Sequence, residues 1–173
     1  MVGPIPLGRL LSRASTLTHA DLAGASDLAI SPAEQHLYVA AGGTTGKISM
    51  LGYAASSMSK NFVYSAPISP LASNLSLALS PDGEHLLVAS GAGHLLRYRR
   101  DEPTGSLKFE EQVSDAALAA AADVAVSSDG RHVLVASASA VTNPVVVYAR
   151  RAPDPRFAFI EQDRLGDAVT PSG

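Results

Sequence analysis

The hydrophobic pattern along this chain changes period within short blocks, and the blocks recur. Asp27 to Ala40 reads DLAISPAEQHLYVA, Ser76 to Ala89 reads SLALSPDGEHLLVA, and Asp123 to Ala136 reads DVAVSSDGRHVLVA. Aligned on His36, His85 and His132, the copies are 49 and 47 residues apart. Each opens with strict alternation. Leu28 and Ile30, Leu77 and Leu79, and Val124 and Val126 share one face, while Ala29, Ala78 and Ala125 hold the other. Period two predicts a strand. A bulky face opposite an alanine face suits sheets that stack, the bulk of one entering the shallow side of the next. The Ser-Pro-Asp-Gly segment at residues 80–83 then supplies a proline that presets φ and a glycine free to take positive φ, which predicts a hairpin. His-Leu-Leu-Val-Ala follows without polar alternation, so both faces of the second strand are expected to be buried.

A second pair of strands follows each block. HLLRYRRDEPTGSLKFEEQ (His94 to Gln112) and PVVVYARRAPDPRFAFIEQ (Pro144 to Gln162) superpose at a step of 50 residues. In each, an apolar strand ending in tyrosine meets a proline-containing turn and then an alternating strand. The first copy is looser, with KISMLGY and NFVYSAPI flanking AASSMSK. Four antiparallel strands per unit, repeated at this spacing, are the blades of a β-propeller. The predicted fold is therefore all-β: a propeller segment of about three four-stranded antiparallel blades plus one N-terminal strand. Residues 1–15 would carry an outer strand of a preceding blade (Gly8 to Ser15), residues 16–68, 69–114 and 115–165 the three blades, and residues 166–173 a connector. AALAAAA (Ala116 to Ala122) has high helix propensity. It is too short for a stable isolated helix, and is read as the link between second and third blades, briefly helical.

Composition narrows the function classes. Of the 173 residues, 46% are hydrophobic and 17% charged, which is too apolar for a disordered chain. No apolar run approaches the roughly 18 residues of a membrane-spanning helix. A net charge of −3 offers no overall attraction to nucleic acid or anionic membrane, and neither is expected as a partner. With no cysteine, disulfides, thiolate metal sites and cysteine nucleophiles are excluded, which fits a reducing compartment and a cytoplasmic location. The first 20 residues contain Arg9 and Arg13 and no acid, the composition of a transit peptide. Pro4 and Pro6 oppose an amphipathic helix there, however, and GRLLSRA fits a strand of the repeat, which is the reading favoured.

The repeats resemble a known family. Ser-Pro-Asp-Gly, then His-Leu-Leu-Val-Ala, then RRDEPTGSLKF (Arg99 to Phe109) is similar to the repeat of lactonase-type seven-bladed propellers, which include 6-phosphogluconolactonases, carboxymuconate cyclases and the related YVTN-repeat proteins. The resemblance runs from about Leu7 to Asp167 and lies in scaffold residues. It departs from the family at Ala41, Ser90 and Ser137, where asparagine is frequent. What it implies is a propeller and, through the family's activity, hydrolysis of a sugar-derived lactone by water attack. Closed propellers take about four to eight blades. Three therefore imply either missing blades from a longer chain, the simpler reading, or a short protein that assembles as a homo-oligomer.

Propellers bind ligands at the axial end built from the loops between blades and between second and third strands, an expectation from fold alone. In this chain those loops carry His19, Asp21, Asp27, Thr44, Thr45, Lys47, His94, Asp115, Asp123 and Asn143. Asp27 and Asp123 begin innermost strands at equivalent positions, with Ser76 between them. They are the candidate general bases for a lactone or its attacking water, with His19 and His94 as further candidates. The competing reading is that each Asp ends a connector and accepts backbone amides. His36, His85 and His132 sit on different blades, and stacked sheets are about 10 Å apart. Zinc needs ligands at about 2.1 Å, so the three cannot share an ion; no metal and no cofactor are expected. Arg97, Arg99, Arg100, Arg150 and Arg151 lie among Asp101, Glu102, Glu110 and Glu111 and are read as a solvated outer rim. GGTTG (Gly42 to Gly46) lacks the Lys-Ser/Thr ending of a phosphate loop. The expected partners are a small lactone or sugar, or, for a non-catalytic propeller serving as a scaffold, a protein.

Overall fold

The computed structural model describes residues 18–41, 46–54, 57–64, 75–138, 145–150 and 157–161. The predicted strand at residues 8–15, the connector at 166–173, Asn143, Thr44 and Thr45 lie outside them. Among the described residues, twelve strands form three four-stranded antiparallel sheets, each meandering in chain order. The first holds β1 (Ala25–Ile30), β2 (His36–Ala41), β3 (Lys47–Ala54) and β4 (Ser57–Tyr64). The second holds β5 (Leu75–Leu79), β6 (His85–Ser90), β7 (Ala92–Arg100) and β8 (Leu107–Ala119). The third holds β9 (Ala121–Val126), β10 (His132–Ser137), β11 (Val145–Arg150) and β12 (Phe157–Glu161). The stack is a partial β-propeller. Strands β3 and β4 run into AASSMSK, with Ala54 paired to Ser57, so the first blade's outer hairpin is tighter than the sequence suggested.

The repeated turn is built from one serine. Ser31, Ser80 and Ser127 each accept, on their side-chain oxygen, the amide of the histidine that opens the next strand, at 3.0, 2.9 and 2.9 Å. Their own amides donate back to the histidine carbonyls. Gly83 and Gly130 take the left-handed position these turns need, with φ of 72° and 69°. In the first copy Glu34 takes it, at φ 55°.

Two apolar layers lie between the sheets. Tyr38, Ala40, Ile48 and Met50 of the first blade meet Leu75, Leu77, Leu86, Val88, Leu96 and Tyr98 of the second. Leu87, Ala89 and Leu95 on the second blade's opposite face meet Val124, Val133, Val135, Val146 and Tyr148 of the third. The second strand of the middle blade is buried on both faces from Leu86 to Ser90, as its unbroken apolar run required.

Two expectations are corrected. Residues 116–119 are not helical: β8 continues through them, and Ala120, at φ 57°, makes the whole reversal into β9. Ala117 and Leu118 are buried between second and third blades, and this burial overrides the helix propensity of alanine. Nor are all the arginines a solvated rim. Arg97 and Arg100 are 6% and 7% exposed and lie on the stacked faces, Arg97 near Glu110 and Glu111 at 3.3 Å each. Among the described residues, no helix is long and apolar enough to cross a membrane.

Candidate functional site

The innermost strands β1, β5 and β9 bring Asp27, Ser76 and Asp123 to the same level, opposite Ala40, Ala89 and Ala136 of their neighbours. The buried Ser76 hydroxyl oxygen lies 2.8 Å from Asp27 Oδ2 and 3.0 Å from Asp123 Oδ1. A hydroxyl has one proton, so it donates to one of the two carboxylates at a time. The same oxygen accepts the Val124 amide at 3.3 Å.

The two aspartates differ. Asp27 Oδ1 accepts the Leu28 amide at 2.8 Å and Oδ2 accepts the Leu77 amide at 2.7 Å, the second bond reaching across to the next blade. Both of its oxygens are engaged. Asp123 uses only Oδ1, for its neighbour Val124 at 2.9 Å and for Ser76. Among the described residues, nothing donates to Asp123 Oδ2, and the residue is exposed. Ser26, Asp27, Leu75, Ser76, Ala122 and Asp123 line a shallow cleft of about 430 Å³. A larger cleft, about 700 Å³, sits around the Asp82–Glu84 turn and the β7–β8 turn; its mixed charges are the solvated edge of the second blade.

The other candidates serve local structure. His19 caps the short 3-10 turn Ala20–Leu22, its Nδ1 accepting the Asp21 amide at 3.1 Å. Asp21 binds Lys47 Nζ at 2.5 Å, and that bond holds its carboxyl below the usual carboxylate range. His94 Nδ1 lies 3.0 Å from Ser114 Oγ across β7 and β8 and 3.3 Å from Gln112 Nε2. Asp115 accepts the Ala117 amide at 2.8 Å. The structure thus joins Asp27 and Asp123 through Ser76, while His19 and His94 each stay with local partners. Asp82, Glu84 and His85 gather their ligand atoms within 4.8 Å of one another, yet Asp82 Oδ1 is taken by the Ser80 hydroxyl and the Glu84 amide.

Sequence reading missed a buried polar pair. Arg100 Nη2 lies 3.3 Å from His36 Nδ1 across first and second blades, while Arg100 Nη1 donates to the Gly83 carbonyl at 2.9 Å. Burial, and after it the neighbouring guanidinium, pushes the His36 imidazole below the usual histidine range, with Asp101 opposing. Strand parity was the available signal: Tyr98 and Arg100 are two residues apart and share a face.

No protein-family model matches the chain, and no curated protein matches its sequence. Solved structures do. A periplasmic gluconolactonase of Pseudomonas aeruginosa is 22% identical at a TM-score of 0.61, over 78% of this chain and 38% of that one. A protein of Bacteroides uniformis, provisionally assigned as a 6-phosphogluconolactonase, is 16% identical at 0.62, over 78% and 39%. The β-propeller domain of Cps50 (Swd1) from Myceliophteria thermophila is 17% identical at 0.57, over 81% and 44%. The chain spans less than half the length of these three structures. At such identities the likeness is one of fold. This chain has the fold of a partial β-propeller, similar to lactonase-type propellers and to others.

Proposed function

We propose that the axial cleft binds a small hydroxyl-rich ligand, a sugar-derived lactone, and that Asp123 is the group that acts on it. The unengaged Asp123 Oδ2 carries this reading: it is the one described carboxylate oxygen in the cleft with no internal donor, exposed and held in place by bonds to its own Oδ1. From there it accepts a proton from water attacking the lactone carbonyl, or a hydrogen bond from a sugar hydroxyl. Asp27 is a clip between blades, since the Leu28 amide already occupies Oδ1 and the Leu77 amide of the next blade Oδ2. The fold likeness to a gluconolactonase supports the ligand class.

Acid release from δ-gluconolactone, followed by pH indicator, tests this. Asp123→Asn should lower the rate at least about 100-fold, the scale of a lost general base, with the melting temperature held. No rate above buffer in the folded protein overturns the hydrolytic reading. Equal loss in Asp123→Asn and Asp27→Asn, together with lowered melting, shows that both residues only lash blades together. The second reading, a non-catalytic scaffold, is favoured by the interblade use of Asp27 and Ser76.

A further inference from the structure

The three copies of the repeated turn share a backbone and differ in the side chains they carry. Aligned on the serine, Ala33 and Gln35 of the first blade stand where Asp82 and Glu84 stand in the second, and Asp129 and Arg131 in the third. Only the second turn sets two carboxylates at these positions beside its histidine. Asp82, Glu84 and His85 bring their ligand atoms within 4.8 Å of one another, the one such group among the described residues. The spacing of the blades forbids an ion shared by His36, His85 and His132. It places no such limit on one histidine and the acids of its own turn. That turn ends β5, whereas Ser76 and the axial cleft lie at the start of the same strand.

We propose that Asp82, Glu84 and His85 bind a divalent transition-metal ion of the zinc type, with Glu110 orienting the imidazole. His85 Nε2 lies 3.5 Å from Glu110 Oε2 on β8. A histidine that binds a metal through one ring nitrogen is commonly held by a carboxylate at the other. Its equivalent His36 instead has the Arg100 guanidinium 3.3 Å away, which repels a cation. Arg97 beside Glu110 is matched by acids, at 3.3 Å from both Glu110 and Glu111. Arg99, opposite His85 in the ladder, is exposed, so water screens its charge. Asp82 is oriented in advance, because its Oδ1 accepts the Ser80 hydroxyl and the Glu84 amide. A carboxylate has about four acceptor positions, so these bonds fix it without exhausting it. Asp82 and Glu84 also line the cleft of about 700 Å³, which leaves room for water on the ion. One imidazole with two carboxylates suits zinc and its neighbours, whereas calcium and magnesium prefer oxygen alone.

Calorimetric titration of the full chain with zinc chloride, with thermal melts alongside, tests this. The wild type should take up one ion at this site, and zinc should raise its melting temperature. His85→Gln should weaken binding at least about 100-fold, and Glu110→Gln by about 10-fold. Asp82→Asn keeps an acceptor for Ser80 and the Glu84 amide, so the turn should hold while zinc affinity falls. Glu84→Gln changes an exposed side chain and serves as the second variant if Asp82→Asn melts early. An equal concentration of calcium or magnesium should not displace the zinc. Absence of zinc binding by the folded wild type overturns the proposal. Undiminished binding in His85→Gln also overturns it, because the ion then sits on other surface histidines. Displacement by calcium as readily as by zinc does so too, since it would show no more than an acidic surface.

Discussion

The contact between the first and second blades and the contact between the second and third use the same backbone and different buried layers, although the second also has an ionic edge, with Glu110 3.5 Å from His85 and 3.3 Å from Arg97. In the second, Leu87 enters a layer of Val124, Val133, Val135 and Val146, and the layer is held by close packing of aliphatic groups. In the first, Tyr38 stands where Leu87 stands, and its hydroxyl donates to the Gly105 carbonyl of the neighbouring blade at 2.7 Å. His36 and Arg100 lie at the edge of the same layer. A propeller repeat thus fixes the strand geometry and leaves the glue open. An aliphatic contact should be broken by lost volume and be indifferent to pH, whereas a polar one should respond to pH.

The largest effect is expected from volume. Leu87→Ala removes a fully buried side chain from the aliphatic contact and should cost about 3 kcal/mol by urea unfolding. Its equivalent Leu134→Ala, partly exposed, should cost less than about 1 kcal/mol. Equal costs would mean that the two positions are not the inner and outer versions of one face.

The polar contact is the next to yield. Arg100→Met removes the donor to the Gly83 carbonyl and the partner of His36, and should cost about 2 kcal/mol. The pH dependence separates it from the aliphatic contact. His36 is held below its usual range in the folded chain, so on acidification the unfolded chain takes up its proton first. Stability should therefore fall as pH drops from about 7 through the ordinary histidine range near 6.5, and this component should level off below the depressed folded value. His36→Gln should flatten the melting temperature between pH 7 and 5, whereas Leu87→Ala should lower it equally at both. Asp21 and Asp129, whose carboxyls are held low by Lys47 and by Ser127, act only at more acid pH, near and below the usual carboxylate range. An unchanged slope in His36→Gln would remove the polar contact as a source of pH sensitivity.

Much of the architecture was legible because period two and period 47–50 are properties of the sequence itself. The face assignment of Leu77, Ala78 and Val124 follows from alternation alone, and the layers between blades bear it out. The errors came where a residue's type was allowed to outweigh its parity. Arg97 alternates with Leu95, and Arg100 with Tyr98, so both lie on stacked faces, yet their charge suggested solvent. The alanines at 116–119 suggested a helix, but a strand puts Ala117 and Leu118 between blades, where a turn of helix would not. At the axial end, the equivalence of Asp27 and Asp123 could be read from the repeat. That one aspartate has both oxygens spent and the other has one to spare depends on amides from adjacent blades, which no single strand reveals.

The smallest expected effect concerns the turn that all three blades share. Gly83 and Gly130 hold its left-handed position at no steric cost, while Glu34 holds it with a Cβ beside the backbone. The strain of a side chain at φ 55° is about 1 kcal/mol. Glycine would remove that strain but add flexibility to the unfolded chain, which opposes it by about 0.4–1 kcal/mol. Glu34→Gly should therefore be neutral to slightly stabilising, by no more than about 0.5 kcal/mol, whereas Gly83→Glu should be clearly destabilising. The asymmetry is sharpened by Pro32, whose ring atoms lie 2.9 Å from where a Cβ on Gly83 would be built. The first blade's turn therefore leans on the second blade's turn, and only a glycine at 83 leaves it room. Thermal melts of the two variants against wild type decide this: equal losses would show that the first turn has adapted to its glutamate, and that the three turns are not interchangeable.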